Sequence, residues 1–118
     1  MNGEDLRLRT KRFALRIIKL YSALPNTTVA QVLGKQVLRS GSSVGAHYRE
    51  ANRSRSDAEF ISKIDTALQE LDETPYWLEL LAEGEIVPAP QLKNLMQETD
   101  ELIAISTTIS KKTKKRGK

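Results

Sequence analysis

The chain has no cysteine and a single histidine, His47, among its 118 residues. Without cysteine there are no disulfides, no thiolate metal ligands and no thiol nucleophile. One histidine cannot supply the two inward Glu-x-x-His pairs of a ferritin-like di-metal bundle, and His47-Tyr48-Arg49-Glu50 is not that motif. A lone histidine beside small residues is expected to pack or hydrogen-bond. Phosphate-cradling Gly-x-x-x-x-Gly-Lys loops and Gly-x-Ser-x-Gly nucleophile turns are also missing. Aromatic residues are 5% of the chain, too few to interleave with basic residues as platforms for unpaired bases. No hydrophobic run approaches the roughly 18 residues of a membrane span, and the opening MNGEDLRLRTKRF lacks an apolar signal core. These absences lead to the expectation of a non-enzymatic cytoplasmic protein with no cofactor, no metal and no membrane association.

What is present is helical periodicity. Leu6, Phe13, Ile17, Leu20 and Leu24 recur at helical spacing, with Ala14, Ile18 and Tyr21 widening the stripe, before Pro25-Asn26 ends the segment. Thr27 or Thr28 can cap a second helix whose inner face reads Leu33, Val37, Ser40, Gly41, Val44, Tyr48 and Ala51. Ser56 with Glu59 forms a capping box ahead of Phe60, and the third inner face reads Phe60, Ile64, Ala67, Leu68, Leu71, Leu78 and Leu81. Pro75 interrupts that helix, and a kink at Leu71–Pro75 is expected because Trp77, Leu78 and Leu81 continue the pattern. Gly84 to Pro90 breaks the chain, with Pro90 placed as a first helical residue. A fourth helix presents Leu92, Leu95, Met96, Thr99, Leu102, Ile103 and Ile109. The fold class is all-α, an antiparallel up-down-up-down four-helix bundle over residues 1–110, followed by a disordered basic tail over 111–118.

Charge is segregated beneath a net +4. Residues 1–24 carry six Lys/Arg and two acids, and residues 25–55 carry five and one. Residues 56–87 carry nine acids against Lys63 alone, and the tail adds six basic residues. Either the halves neutralise each other across the bundle, or one face stays positive for a polyanion. Arg9, Arg12, Arg16 and Lys19 form one stripe on the first helix, read as lying roughly opposite its apolar stripe, and Arg39, Arg49 and Arg53 share a sector of the second. The two stripes are expected to merge into a patch that contacts phosphates, joined by Lys111, Lys112, Lys114, Lys115 and Arg116 of the tail. The competing reading pairs these cations with Glu59, Asp65, Glu70 and Glu73.

Two further features leave alternatives open. Ser40-Gly41-Ser42-Ser43 and Gly45-Ala46 mark close helix approach, within one chain or between subunits. Tyr76, Trp77 and Leu80 lie beside the third helix's inner face, as an oligomer interface or, for Trp77, as a cap on the chain's own core.

Taken together, Arg39-Ser40, Ser43-Val44-Gly45-Ala46, Tyr48-Arg49-Glu50-Ala51, Ser56, Glu59-Phe60, Lys63 and Glu73 with Tyr76-Trp77-Leu78 resemble a known family. It comprises the four-helix-bundle proteins encoded by intervening sequences inside bacterial 23S ribosomal RNA genes. The accessory variability determinant of diversity-generating retroelements is similar to the same family. Lys11-Arg12-Phe13-Ala14 and Leu24-Pro25 fit its usual opening, whereas His47 stands where Asn is usual and Pro75 where a helix former is usual. The resemblance implies a ring-like homopentamer without enzymatic activity, and the retroelement relative implies nucleic acid and a reverse transcriptase as partners. The leading expectation is thus an oligomeric bundle that binds RNA or DNA through a basic surface; the alternative is a protein-interaction scaffold with no nucleic-acid role.

Overall fold

The computed structural model describes residues 3–116. It contains four helices: α1 (Gly3–Ser22), α2 (Thr28–Asn52), α3 (Asp57–Glu83) and α4 (Ala89–Arg116). Short connections force each helix to run against its predecessor, giving the antiparallel bundle, 49 Å long and 20–21 Å wide. Neighbours around the square are α1–α2, α2–α3, α3–α4 and, most loosely, α4–α1. Among the described residues the backbones of α1 and α3 are not neighbours, so the two helices occupy diagonal corners.

Local chemistry accounts for the helix ends. Thr27 Oγ1 accepts from the Ala30 amide at 3.2 Å and starts α2. Ser56 Oγ accepts from the Glu59 amide at 3.1 Å and starts α3, where Asp57 and Glu59 also suit the positive end of the helix dipole. At the far end of α3 the Glu85 amide donates to the Ala82 carbonyl and the Ile86 amide to the Leu81 carbonyl, a Schellman closure. The left-handed residue of that closure is Glu85, at φ 61°, while Gly84 keeps an ordinary negative φ. Pro75 does not end α3, which continues from Asp57 to Glu83 as one helix.

The buried interior is led by Phe13, Ile17, Val44, Ile64, Leu71, Leu78 and Leu102, as periodicity predicts. Burying a side chain of this size stabilises the fold by roughly 1.5–3 kcal/mol. Ser40 and Thr74, also fully buried, meet across α2–α3 at 2.9 Å. Each hydroxyl also has a carbonyl acceptor on its own helix, Glu70 for Thr74 at 2.8 Å and Val37 for Ser40 at 3.4 Å, so either can supply the hydrogen they share. The small residues of α2 serve contact within the chain. A Cβ at Gly41 would lie 2.7 Å from Ile17 Cγ1, and one at Gly45 would lie 3.1 Å from Thr10 Oγ1.

Two expectations are corrected. The stretch from Lys111 is not a disordered tail over its described part: α4 runs to Arg116, Thr113 is buried, and Lys114 and Arg116 pair with Asp65 and Asp57 of α3. Lys114 and Arg116 find carboxylates on α3, which a reading of the tail as an isolated polar segment omits, while Thr113 Oγ1 donates to the Ile109 carbonyl of its own helix at 2.9 Å. Gly117 and Lys118 lie outside the described residues. Ile18 does not widen the buried stripe of α1, being 44% exposed on the outer face.

Candidate nucleic-acid interface and outer faces

Four of the twelve cations singled out in the sequence are held by carboxylates. Arg9 bridges the loose α1–α4 seam, with Nε to Glu98 Oε2 at 2.9 Å and Nη2 to Glu98 Oε1 at 2.6 Å and Glu101 Oε1 at 3.0 Å. The Glu98 hydrogen bonds above all, and those to Glu101, raise the Arg9 pKa further above its already high value, against an opposing desolvation. Arg39 reaches across α2–α3 to Glu70 at 3.1 Å and to Glu73, which also accepts from Trp77 Nε1 at 2.8 Å. Lys114 pairs with Asp65 at 3.3 Å, where Ser110 also donates, and Arg116 pairs with Asp57 at 2.8 Å. Pairing with the acids expected from the sequence thus holds for Arg39 and Lys114, whereas Arg9 takes Glu98 and Glu101 of α4 and Arg116 takes Asp57.

Two more groups share Glu50. Lys63 reaches it at 2.9 Å and His47 at 3.6 Å, so the lone histidine faces a carboxylate on its own helix. The Lys63 hydrogen bond lowers the Glu50 pKa, and the same contact raises that of Lys63.

Because Arg9 and Glu98 are only 23% and 18% exposed, their contact is less screened than an ordinary surface pair. Arg9→Met is expected to cost about 1–2 kcal/mol in urea unfolding, since it strands Glu98 half-buried. A loss within error of zero would show that the seam does not depend on it.

The other eight, Arg12, Arg16, Lys19, Arg49, Arg53, Lys111, Lys112 and Lys115, are exposed and have no carboxylate partner among the described residues. They do not form one continuous patch. Arg16 and Lys19 line the α1–α4 groove with Leu92 and Leu95. Arg49 lines the α1–α2 groove with Lys11, Ser42 and Gly45. Between these flanks runs an exposed apolar ridge, Leu8 (46%), Leu15 (54%) and Ile18 (44%). This ridge, and not the arginine stripe, lies opposite the buried face of α1. At 100° per residue its three side chains share a sector of about 80° on the far side from Phe13 and Ile17, a signal present in the sequence but masked by the neighbouring charges.

The remaining free cations gather at one end of the bundle. The Arg116–Asp57 contact brings the end of α4 beside the α2–α3 connection. Arg53 and Arg55 of that connection thus share an end with Lys111, Lys112 and Lys115. The three aromatic-side residues divide. Trp77 is half-buried against the chain's own core, Leu80 is half-buried, and Tyr76 stands 55% exposed.

Among the described residues no cluster of three or more His, Cys, Asp or Glu side chains could hold a metal, and no helix is long and apolar enough to cross a membrane. Fold and surface together define an all-α antiparallel bundle with a filled interior and its distinctive chemistry on the outside. The chain belongs to the 23S rRNA-intervening sequence protein family, whose model matches residues 5–108. It is also similar to a solved protein of unknown function from the S23 ribosomal protein family of Bacteroides thetaiotaomicron. The two share 39% identity and a TM-score of 0.87, over 94% of this chain and 99% of that one. No curated protein matches the chain.

Proposed function

We propose that the protein is a non-enzymatic, oligomeric bundle that binds RNA or DNA through phosphate contacts. The observation that carries this reading is the set of exposed cations left over after internal pairing. Arg12, Arg16 and Lys19 line one flank of α1, and Arg53, Lys111, Lys112 and Lys115 crowd one end. The nine acids of residues 56–87 account for Arg39, Lys114 and Arg116 but leave these untouched. Cations held at fixed spacing on rigid helices release condensed counterions when they meet phosphates, so binding is largely independent of sequence and steep in salt. Stacking on unpaired bases has little support on this surface, because aromatic residues are only 5% of the chain.

The double substitution Arg12→Glu/Arg16→Glu is expected to lower affinity for structured RNA or duplex DNA at least tenfold at low salt and to flatten the salt dependence. Helical content should not change, because both side chains are exposed. Absent or salt-insensitive binding by the unsubstituted protein would sink the proposal. Protein partners that survive nuclease treatment would then favour the scaffold reading, to which the exposed ridge of α1 lends a surface.

A further inference from the structure

The groove between α1 and α2 has cationic rims and a floor without large side chains. Ala14, Gly45 and Ala46 leave the floor open, Lys11 and Arg49 stand at the rims, and the volume between them is about 300 Å³. No carboxylate lines this groove, and neither cation has an acidic partner among the described residues. Glu50, next to Arg49 in the chain, is held by Lys63 of α3. Ser42 lines the groove as well. Ser43 Oγ donates to the Ser40 carbonyl at 3.2 Å and Ser40 Oγ meets Thr74, whereas Ser42 Oγ has no hydrogen-bond partner among the described residues. Two uncommitted cations and one uncommitted hydroxyl thus surround a space that small residues leave empty.

The cations continue along the outer side of α2. At 100° per residue Lys35, Ser42, Ala46, Arg49 and Arg53 share a sector of about 60° and span about 27 Å of helix. Arg39, the other cation of that side, is turned away to Glu70 and Glu73. We infer that this line is a track for one strand of a nucleic acid, with a backbone phosphate seated in the α1–α2 groove between Lys11 and Arg49. The phosphate oxygens accept from both cations and from the Ser42 hydroxyl, and the small floor lets them come close. A small anion would fill one seat only; cations repeated along a helix fit a chain of phosphates. This rests on the proposed function and deepens it. It adds a contact surface on the α2 side of α1, away from Arg16 and Lys19, which line the α1–α4 groove. It also adds two groups, Lys11 and Ser42, that the charge stripes do not mark.

A neutral substitution separates a seat from a diffuse positive field. Ala46→Leu fills the groove with another good helix former at an exposed position and leaves every charge in place. Binding of a fluorescein-labelled RNA duplex of about 20 base pairs is followed by anisotropy between about 50 and about 200 mM salt. Ala46→Leu should weaken binding about fivefold or more at the low-salt end and reduce the salt slope by about 1, as losing a phosphate contact does. Arg49→Gln should do the same, and the double variant should lose less than the two changes summed, since both remove one contact. An Ala46→Leu protein with unchanged affinity and slope overturns the groove while leaving the proposed function standing. Strictly additive losses overturn it too. Displacement of the duplex by inorganic phosphate, beyond that by chloride at equal ionic strength, would assign the groove to a small anion and overturn the track. An unsubstituted protein that binds no duplex overturns the inference and the proposed function together. Circular dichroism and thermal melting verify the fold, and Ala46→Met, read the same way, replaces a leucine variant that does not fold.

Discussion

Replacing Phe13 with alanine should lower the stability of the bundle by about 3–5 kcal/mol, a large share of what a domain of this size possesses. Phe13 is among the largest fully buried side chains and stands on α1, whose seam with α4 is the loosest of the four. Truncation removes the apolar surface it keeps from water and leaves a cavity that straight helices cannot collapse to fill. Urea unfolding at one fixed protein concentration, with the slope compared between variants, measures it, since assembly would otherwise shift the midpoint. A loss below about 1 kcal/mol would mean that α1 repacks freely and that its buried stripe contributes little.

Gly41→Val should be the second most damaging change, at about 2–3 kcal/mol. A Cβ at this position would sit 2.7 Å from Ile17 Cγ1, 3.0 Å from Cδ1 and 3.2 Å from Cγ2, and Ile17 is fully buried and cannot swing aside. The gain of roughly 1 kcal/mol from removing a helical glycine is largely reserved for alanine and is opposed by overpacking of about 1–3 kcal/mol. Valine adds two further methyl groups and some loss of helix propensity. Gly34 supplies the internal comparison. A Cβ there would lie 2.4 Å from Leu24 Cδ1, the far end of a half-buried side chain in the α1–α2 connection. It would also lie 2.9 Å from Tyr21 Cδ1, whose hydroxyl is tied to Gln31 at 2.8 Å, so Gly34→Ala should cost about 1 kcal/mol and valine more. If both glycines tolerated valine equally by thermal melting, close α1–α2 approach would not be the reason for the small residues.

The four helices and most of their inner faces were legible along the chain. Ser56 and Thr27 start their helices because a hydroxyl three residues ahead of an orphan amide is a local matter, visible in the sequence. Gly84 was legible as a stop but not as a conformation. The chain places its left-handed residue one position later, at Glu85, because the amides of Glu85 and Ile86 must reach the carbonyls of Ala82 and Leu81. Family membership was also legible, in a combination of residues each weak by itself. The helical course of Lys111 to Arg116 was not legible, because composition alone describes a solvated tail, whereas α3 offers Asp57 and Asp65 at the level where α4 passes.

The candidate surface was less legible than the fold. Arg9 and Arg12 belong to the same sequence stripe, yet one is bound by two carboxylates and the other by none among the described residues. Nothing local to either arginine distinguishes them. Leu8 and Leu15 are hard to single out along the chain, because an outer apolar row set among charges resembles ordinary surface scatter.

The sequence by itself determined the helices, their caps, the inner faces and the segregation of charge, since each depends on spacing within a few turns of one element. Only the tertiary structure decided which cations are spent internally and which remain. Their partners stand 89 residues away for Arg9 and Glu98, and 34 for Arg39 and Glu73. It also decided that α1 and α3 stand at diagonal corners, leaving the apolar ridge of α1 turned outward. Charge pairing and exposure depend on distance through space, and only packing sets that distance.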